Sequence, residues 1–160
     1  MKEQPLQLTL QNLHQILPSY INLYHSLLFK IQDSGLTTLE IAEQSNIRLH
    51  AVALRKRKPE LWSVGEIRLL AKGFGMSETV CIRLEKELDQ LTIILEALPV
   101  RQRKQFFMDC GLPTRRSSSW PGHRWVINDL KRFYQYIGST KGFMPVLKSR
   151  TRVAIPVSYP

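Results

Sequence analysis

The sequence predicts an all-α protein. Apolar residues recur at spacings of three and four in two long stretches, 5–17 and 77–98, which is the period of an amphipathic helix. Between them, residues 36–62 read as two short helices around a tight turn.

The elements follow in order. Leu6, Leu10, Leu13 and Leu17 define a first helix over 5–17, which Pro18 is expected to interrupt. A second helix from Ser19 to Gln32 buries Ile21, Tyr24, Leu28 and Ile31 and ends at Ser34-Gly35. Thr37 and Glu40 form an S/T-x-x-E capping box for a short helix over 37–45, with Leu39, Ile41 and Ala42 at its start. Asn46 marks the reversal, because Asn tolerates left-handed backbone. Ile47 and Val52 return apolar groups to the core, a second short helix spans 48–58, and Pro59 stops it. Trp62 and Ser63 lead into a helix from Val64 to about Phe74, with Ile67, Leu70, Ala71 and Phe74 inward and Gly75 as its C-terminal cap.

Ser77 is expected to cap the longest helix, which reaches Leu98. Its seam of Cys81, Leu84, Leu88, Leu91, Leu95 and Leu98 has a 3.5-residue period over about two and a half heptads. Such a seam either pairs two copies as a homodimer or packs back on its own domain. Beyond Pro99, the residues Phe106, Phe107 and Cys110 suggest a short helix ending at Gly111, and Arg115–Gly122 reads as a loop. A helix over 126–137 carries Ile127, Leu130, Phe133, Tyr134 and Ile137 on its apolar side. Residues 141–160 lack a helical period and read as an extended or disordered tail. The expected organisation is an N-terminal helix (1–18), a domain with a long packing or dimerisation helix (19–98), a basic helical region (99–140) and the tail.

Charge is segregated. The formal charge is +10, with residues 48–75 at +5 and residues 100–160 at +10, while residues 1–47 and 76–99 are at −2 and −3. A basic face beside near-neutral or acidic packing elements is the footprint of a polyanion binder. Solubility alone would not require the segregation. No run of 18 apolar residues and no secretory signal is present, so neither a membrane span nor export is expected. Cys81 and Cys110 are too few for a disulfide framework or a zinc site, which suits a reducing cytoplasm.

The pattern from Ile41 to Ile67 resembles the lambda-repressor-like (Cro-type) helix-turn-helix DNA-binding family. An aliphatic residue precedes an Ala (Ile41-Ala42), a turn residue and an aliphatic follow (Asn46-Ile47), and another aliphatic comes five further on (Val52). The basic run, Pro59 and the helix start at Trp62–Ile67 are similar to the family's later part, and the resemblance covers roughly 23–75. Three residues depart from it: Ser45 where Leu is commoner, Asn46 in place of Gly, and Arg48 at the usual Ser/Thr cap. The resemblance implies an all-helical bundle of that type whose second short helix enters the major groove. Thr38 would then touch a phosphate, and Arg48, Leu49, His50, Ala53 and Leu54 would face base edges. Arg55, Lys56, Arg57 and Lys58 would grip the backbone, positioning without specifying. The plain alternative for each is a solvated side chain on a helix surface.

Two segments set 63 apart align, 62–77 and 125–140: Trp62 with Trp125, Val64 with Ile127, Ile67 with Leu130, and Gly75 with Gly138. Upstream, Gly35-Leu36-Thr37 finds an echo in Gly111–Thr114 if about a dozen residues are missing. A degenerate second unit would set Arg115 and Arg116 in the place of Arg55–Lys58.

Catalysis is not expected. The four His residues are scattered, no acid pair stands out, and Gly73-Phe74-Gly75 lacks the third glycine of a dinucleotide loop. No cofactor, metal or small-molecule ligand is implied. The expected function is a transcriptional regulator that binds duplex DNA. The alternative is an adaptor binding RNA or an acidic protein through the basic C-terminal third, where Trp120, Trp125, Tyr134 and Tyr136 interleave with Arg124, Lys131 and Arg132.

Overall fold

The computed structural model describes residues 3–113 and 121–139, and these form seven α-helices and two 3-10 turns. The expected loop at 115–122 lies largely outside the described residues, and the expected tail over 141–160 lies wholly outside them. The α-helices are α1 (Glu3–Ser34), α2 (Thr38–Ser45), α3 (Leu49–Arg57), α4 (Val64–Gly73), α5 (Thr79–Glu96), α6 (Val100–Asp109) and α7 (Ile127–Ser139). The 3-10 turns are Pro59–Leu61 and Gly122–Arg124. Among the described residues there is no strand, only an isolated antiparallel bridge between Ser63 and Val126.

Pro18 does not break the first helix; α1 runs through it. The reason is the seam. Leu6, Leu10, Leu13, Leu17, Tyr20, Tyr24, Leu27 and Ile31 are all buried, and their spacing of alternating four and three continues past Pro18, which sits exposed on another face. One interior proline costs about 3 kcal/mol, whereas each fully buried side chain of this size contributes roughly 1.5–3 kcal/mol. After Pro18, Tyr24 and Ile31 are inward as expected and are joined by Tyr20 and Leu27, while Ile21 and Leu28 are only half-buried.

The seam of α5 is filled from within the chain. Cys81, Leu84, Leu88, Leu91 and Leu95 are buried and Leu98 is half-buried, in the core that α5 shares chiefly with α1. Among the described residues the seam packs back on its own chain, chiefly against α1. Helix α5 begins at Thr79, two residues after Ser77, whose hydroxyl accepts from the Thr79 amide at 3.2 Å. Arg68 of α4 ties to it through Glu78 and Glu85, each at 3.2 Å.

The faint repeat extends beyond 62–77 and 125–140, matching the second half of α1, α2 and α4 with α5, α6 and α7. Leu17, Tyr20, Tyr24, Leu27 and Ile31 of α1 stand 64 positions before Cys81, Leu84, Leu88, Leu91 and Leu95 of α5, and all ten are buried. Ile41, Ala42, Ser45 and Ile47 stand 65 before Phe106, Phe107, Cys110 and Leu112, again all buried. Val64, Ile67 and Leu70 stand 63 before Ile127, Leu130 and Phe133. The hydrogen bonds repeat as well. The Ile47 amide donates to Ala42 across the left-handed Asn46, and the Leu112 amide donates to Phe107 across the left-handed Gly111. Trp62 donates to Pro59 as Trp125 does to Gly122, and Ile67 to Ser63 as Leu130 does to Val126.

Gly111 therefore corresponds to Asn46, not to Gly35. Between Ile47 and Trp62 lie 14 residues and between Leu112 and Trp125 lie 12, so two residues are missing from the second unit, not a dozen. The bridge pairs Ser63 with its own equivalent, Val126, in antiparallel sense, the Val64 amide donating to the Trp125 carbonyl at 2.9 Å. Pairing of equivalents in opposite directions is what a local two-fold axis produces.

Candidate nucleic-acid interface

Helix α3 exposes Leu49, His50, Lys56 and Arg57 and half-buries Ala51, Ala53, Leu54 and Arg55. Val52 is its one buried side chain. Ahead of it, α2 is closed by the expected capping box: the Glu40 amide donates to Thr37 Oγ1 at 3.1 Å, and the Thr37 amide to Glu40 Oε1 at 2.8 Å. Asn46 then turns the chain at φ 60°, its amide donating to the Ala42 carbonyl. Ser45 is buried and donates its hydroxyl to the Ile41 carbonyl at 2.6 Å, so the polar group is satisfied within the helix. Its small size fits the close approach of α4: a Cβ on Gly73 would lie 2.7 Å from the Gln44 carbonyl oxygen and 3.2 Å from Ser45 Cα. Gly73 is thus a contact point between helices, while Gly75, at φ +72°, makes the left-handed cap.

Arg48, Leu49 and His50 are exposed, Leu49 by 50 %. Arg48 takes the N-cap position of α3, where its donor-only guanidinium cannot cap the helix amides and is exposed. Ala53 and Leu54 are half-buried. Lys56, Arg57 and Lys58 are exposed at the far end. Thr38, half-buried, receives a hydrogen bond from Lys56 Nζ at 3.3 Å, which brings the start of α2 beside the basic end of α3.

Arg55 differs from its neighbours. It makes a bidentate pair with Glu66 of α4, Nε to Oε1 at 2.8 Å and Nη2 to Oε2 at 3.0 Å. Expected as a free backbone-gripping cation, Arg55 is instead a brace between α3 and α4, because a carboxylate within reach of both guanidinium donors holds them. Glu66 was missed from the sequence as a member of this site. Its signal was there: Ser63-x-x-Glu66 is a second capping box, with the Ser63 amide donating to the same Oε1 at 3.1 Å.

Among the described residues, Trp125 belongs to the core and Tyr134 and Tyr136 are half-buried against it. Trp125 is only 3 % exposed and packs against Phe133, ring centroids 5.7 Å apart. Tyr134 is covered by His14, stacked at 4.8 Å. Trp120, Arg115 and Arg116 lie outside the described residues. Among the described residues no group of three or more His, Cys, Asp or Glu side chains could hold a metal ion, and no helix is long and apolar enough to cross a membrane.

Compared with protein-family models, curated proteins and solved structures, the chain matches none of them. The reading of this surface therefore rests on its own geometry and charge.

Proposed function

We propose that this protein binds duplex DNA in the manner of a helix-turn-helix transcriptional regulator, laying α3 along the major groove. The observation that carries this reading is the outward face of α3. Seated by Val52 and braced to α4 through Arg55, α3 presents Arg48, Leu49 and His50 at one end and Lys56, Arg57 and Lys58 at the other, all exposed. A helix of this width fits a major groove, Arg48 can donate bidentately to guanine, and Leu49 offers apolar contact to thymine methyls. The terminal cations, next to Thr38, suit the phosphate backbone. The adaptor reading is less well supported among the described residues, because Trp125 is buried and Tyr134 is stacked on His14, so neither ring is free to stack on unpaired bases.

The test is binding of the full chain to duplex DNA as a function of salt. Replacing Arg57 and Lys58 with Ala weakens binding to every sequence and lowers the slope of log K against log salt by roughly 1.8, about 0.9 for each lost phosphate contact. Arg48→Ala costs roughly 1–3 kcal/mol and relaxes preference at one base position. Unchanged binding in both variants, or better competition by single-stranded RNA than by duplex, would remove the assignment.

A further inference from the structure

The two-fold arrangement has a consequence for how much of a duplex one chain can hold. In the first unit, the start of α2 and the basic end of α3 meet at Thr38 and Lys56. The equivalent of Thr38 in the second unit, 65 positions on, is Arg103 in the first turns of α6. There the chain carries Arg101, Arg103 and Lys104, with no acidic residue in the first turn of that helix. Arg101 and Lys104 are exposed, and neither takes part in an ion pair among the described residues. Three cations close to the positive end of a helix macrodipole repel it and one another, so helix stability does not account for them. Positive charge thus lies beside the start of α2 and in the first turns of α6, supplied by Lys56 of α3 in the first unit and by Arg101, Arg103 and Lys104 of α6 itself in the second, on bodies tied together by the α1–α5 core and the Ser63–Val126 bridge.

A duplex backbone has matching two-fold symmetry, and proteins that read it commonly place equivalent contacts about one helical turn apart. We propose that the corner of α6 bearing Arg101 and Lys104 is a second phosphate-binding surface on the same duplex, so that one chain makes both contacts that a symmetric dimer would otherwise divide between two copies. This rests on the duplex-binding reading of α3 and extends it. The two contacts are unequal, since neutral Thr38 in the first unit corresponds to cationic Arg103 in the second. A site for this protein is therefore asymmetric. The seam that a dimer would use is already filled by α1, which fits a chain that works as a single copy.

The experiment uses the full chain with a duplex of about 25 base pairs, long enough for two contacts one turn apart. Sedimentation at saturation gives the stoichiometry, and titration across a salt series gives the slope. The expected result is one chain per duplex, with a slope lowered by roughly 1.8 in the Arg101→Ala/Lys104→Ala variant and base preference unchanged. Combined with the Arg57→Ala/Lys58→Ala pair, the two losses add, as they do for separated sites. Because both α6 residues are exposed, the variant keeps its fold, checked by its circular dichroism and melting curve. Duplex binding with an unaltered slope in the α6 variant, or two chains bound side by side at saturation, overturns the second surface and leaves the α3 reading standing. Absence of duplex binding by the unmodified chain removes both.

Discussion

Arg55 and Glu66 are joined by two parallel hydrogen bonds of 2.8 and 3.0 Å across the junction of α3 and α4. The same carboxylate accepts from the Ser63 amide, so one side chain closes the start of α4 and fixes the angle at which α3 leaves the body. Both partners are mostly shielded, with about a fifth of each side chain exposed (21 % and 19 %). Under the duplex-binding proposal the interaction sets stability against binding, since a cation held by a carboxylate is not available to phosphate.

Glu66→Gln separates the two roles. Gln at this position of a capping box can still receive the Ser63 amide, but it no longer neutralises Arg55. Thermal unfolding of the variant is expected to show a loss of about 1 kcal/mol, or roughly 2–4 °C in Tm. Under the duplex-binding proposal, its affinity should respond more steeply to salt, by about 0.9 in slope, as the freed guanidinium finds a phosphate. A stability loss with no change in slope would mean that Arg55 is out of reach of the backbone even when released.

The approach of α4 to α2 makes a second prediction, on a pair of glycines in helices. Adding a Cβ at Gly73 meets the Gln44 carbonyl oxygen at 2.7 Å and its carbon at 3.0 Å, both backbone atoms that cannot rotate away. Gly to Ala inside a helix ordinarily gains up to about 1 kcal/mol, but overpacking of this kind costs roughly 1–3 kcal/mol. Gly73→Ala is therefore expected to destabilise in a urea titration. Gly138→Ala, where the nearest neighbour is His14 Nε2 at an ordinary 3.5 Å, should stabilise by about 0.5–1 kcal/mol. Stabilisation by both substitutions would show that α2 and α4 have room to part.

Local signals in the sequence were enough for most of the helices, and long-range ones were not. The capping box at Thr37 and Glu40, the left-handed turn at Asn46 and the cap at Gly75 depend on residues within five positions, and each appears where the pattern puts it. Pro18 misled because its local cost is certain while the compensating seam spans both sides of it. The pairing of Arg55 with Glu66 joins two helices whose relative placement no spacing rule provides. The repeat stayed faint for a similar reason. Its equivalences are between buried positions, such as Tyr24 with Leu88 or Ser45 with Cys110, that share an environment without sharing chemistry. A side-chain match would not find them, whereas the three-four rhythm of α1 and α5, already present in the sequence, does.

The interface between α1 and the α4–α5 pair holds titratable groups that make the fold sensitive to alkali. Burial, and after it the nearby Glu85, pushes the Cys81 thiol from an ordinary 9.0 up to about 12. Tyr24, whose hydroxyl donates to the Pro59 carbonyl at 2.7 Å, is raised from 10.0 to about 12, chiefly by burial and then by Glu60. Tyr20 is raised well above 10.0, again first by burial. In the unfolded chain the thiol loses its proton near pH 9.0 and the tyrosines near pH 10.0, while in the folded chain Cys81 and Tyr24 keep theirs to about pH 12. Over that interval the folded state binds more protons, so stability is complete below pH 9, falls from there through Cys81, and falls more steeply above pH 10 as the tyrosines join. Each group contributes a slope of up to roughly 1.4 kcal/mol per pH unit. Melting curves recorded from pH 8 to 11 test this, with Tyr24→Phe as the control. That variant loses the bond to Pro59, about 1 kcal/mol at neutral pH, yet its decline above pH 10 should be shallower than that of the unmodified chain. Parallel declines in the two proteins would show that the Tyr24 hydroxyl does not hold its proton as its surroundings require.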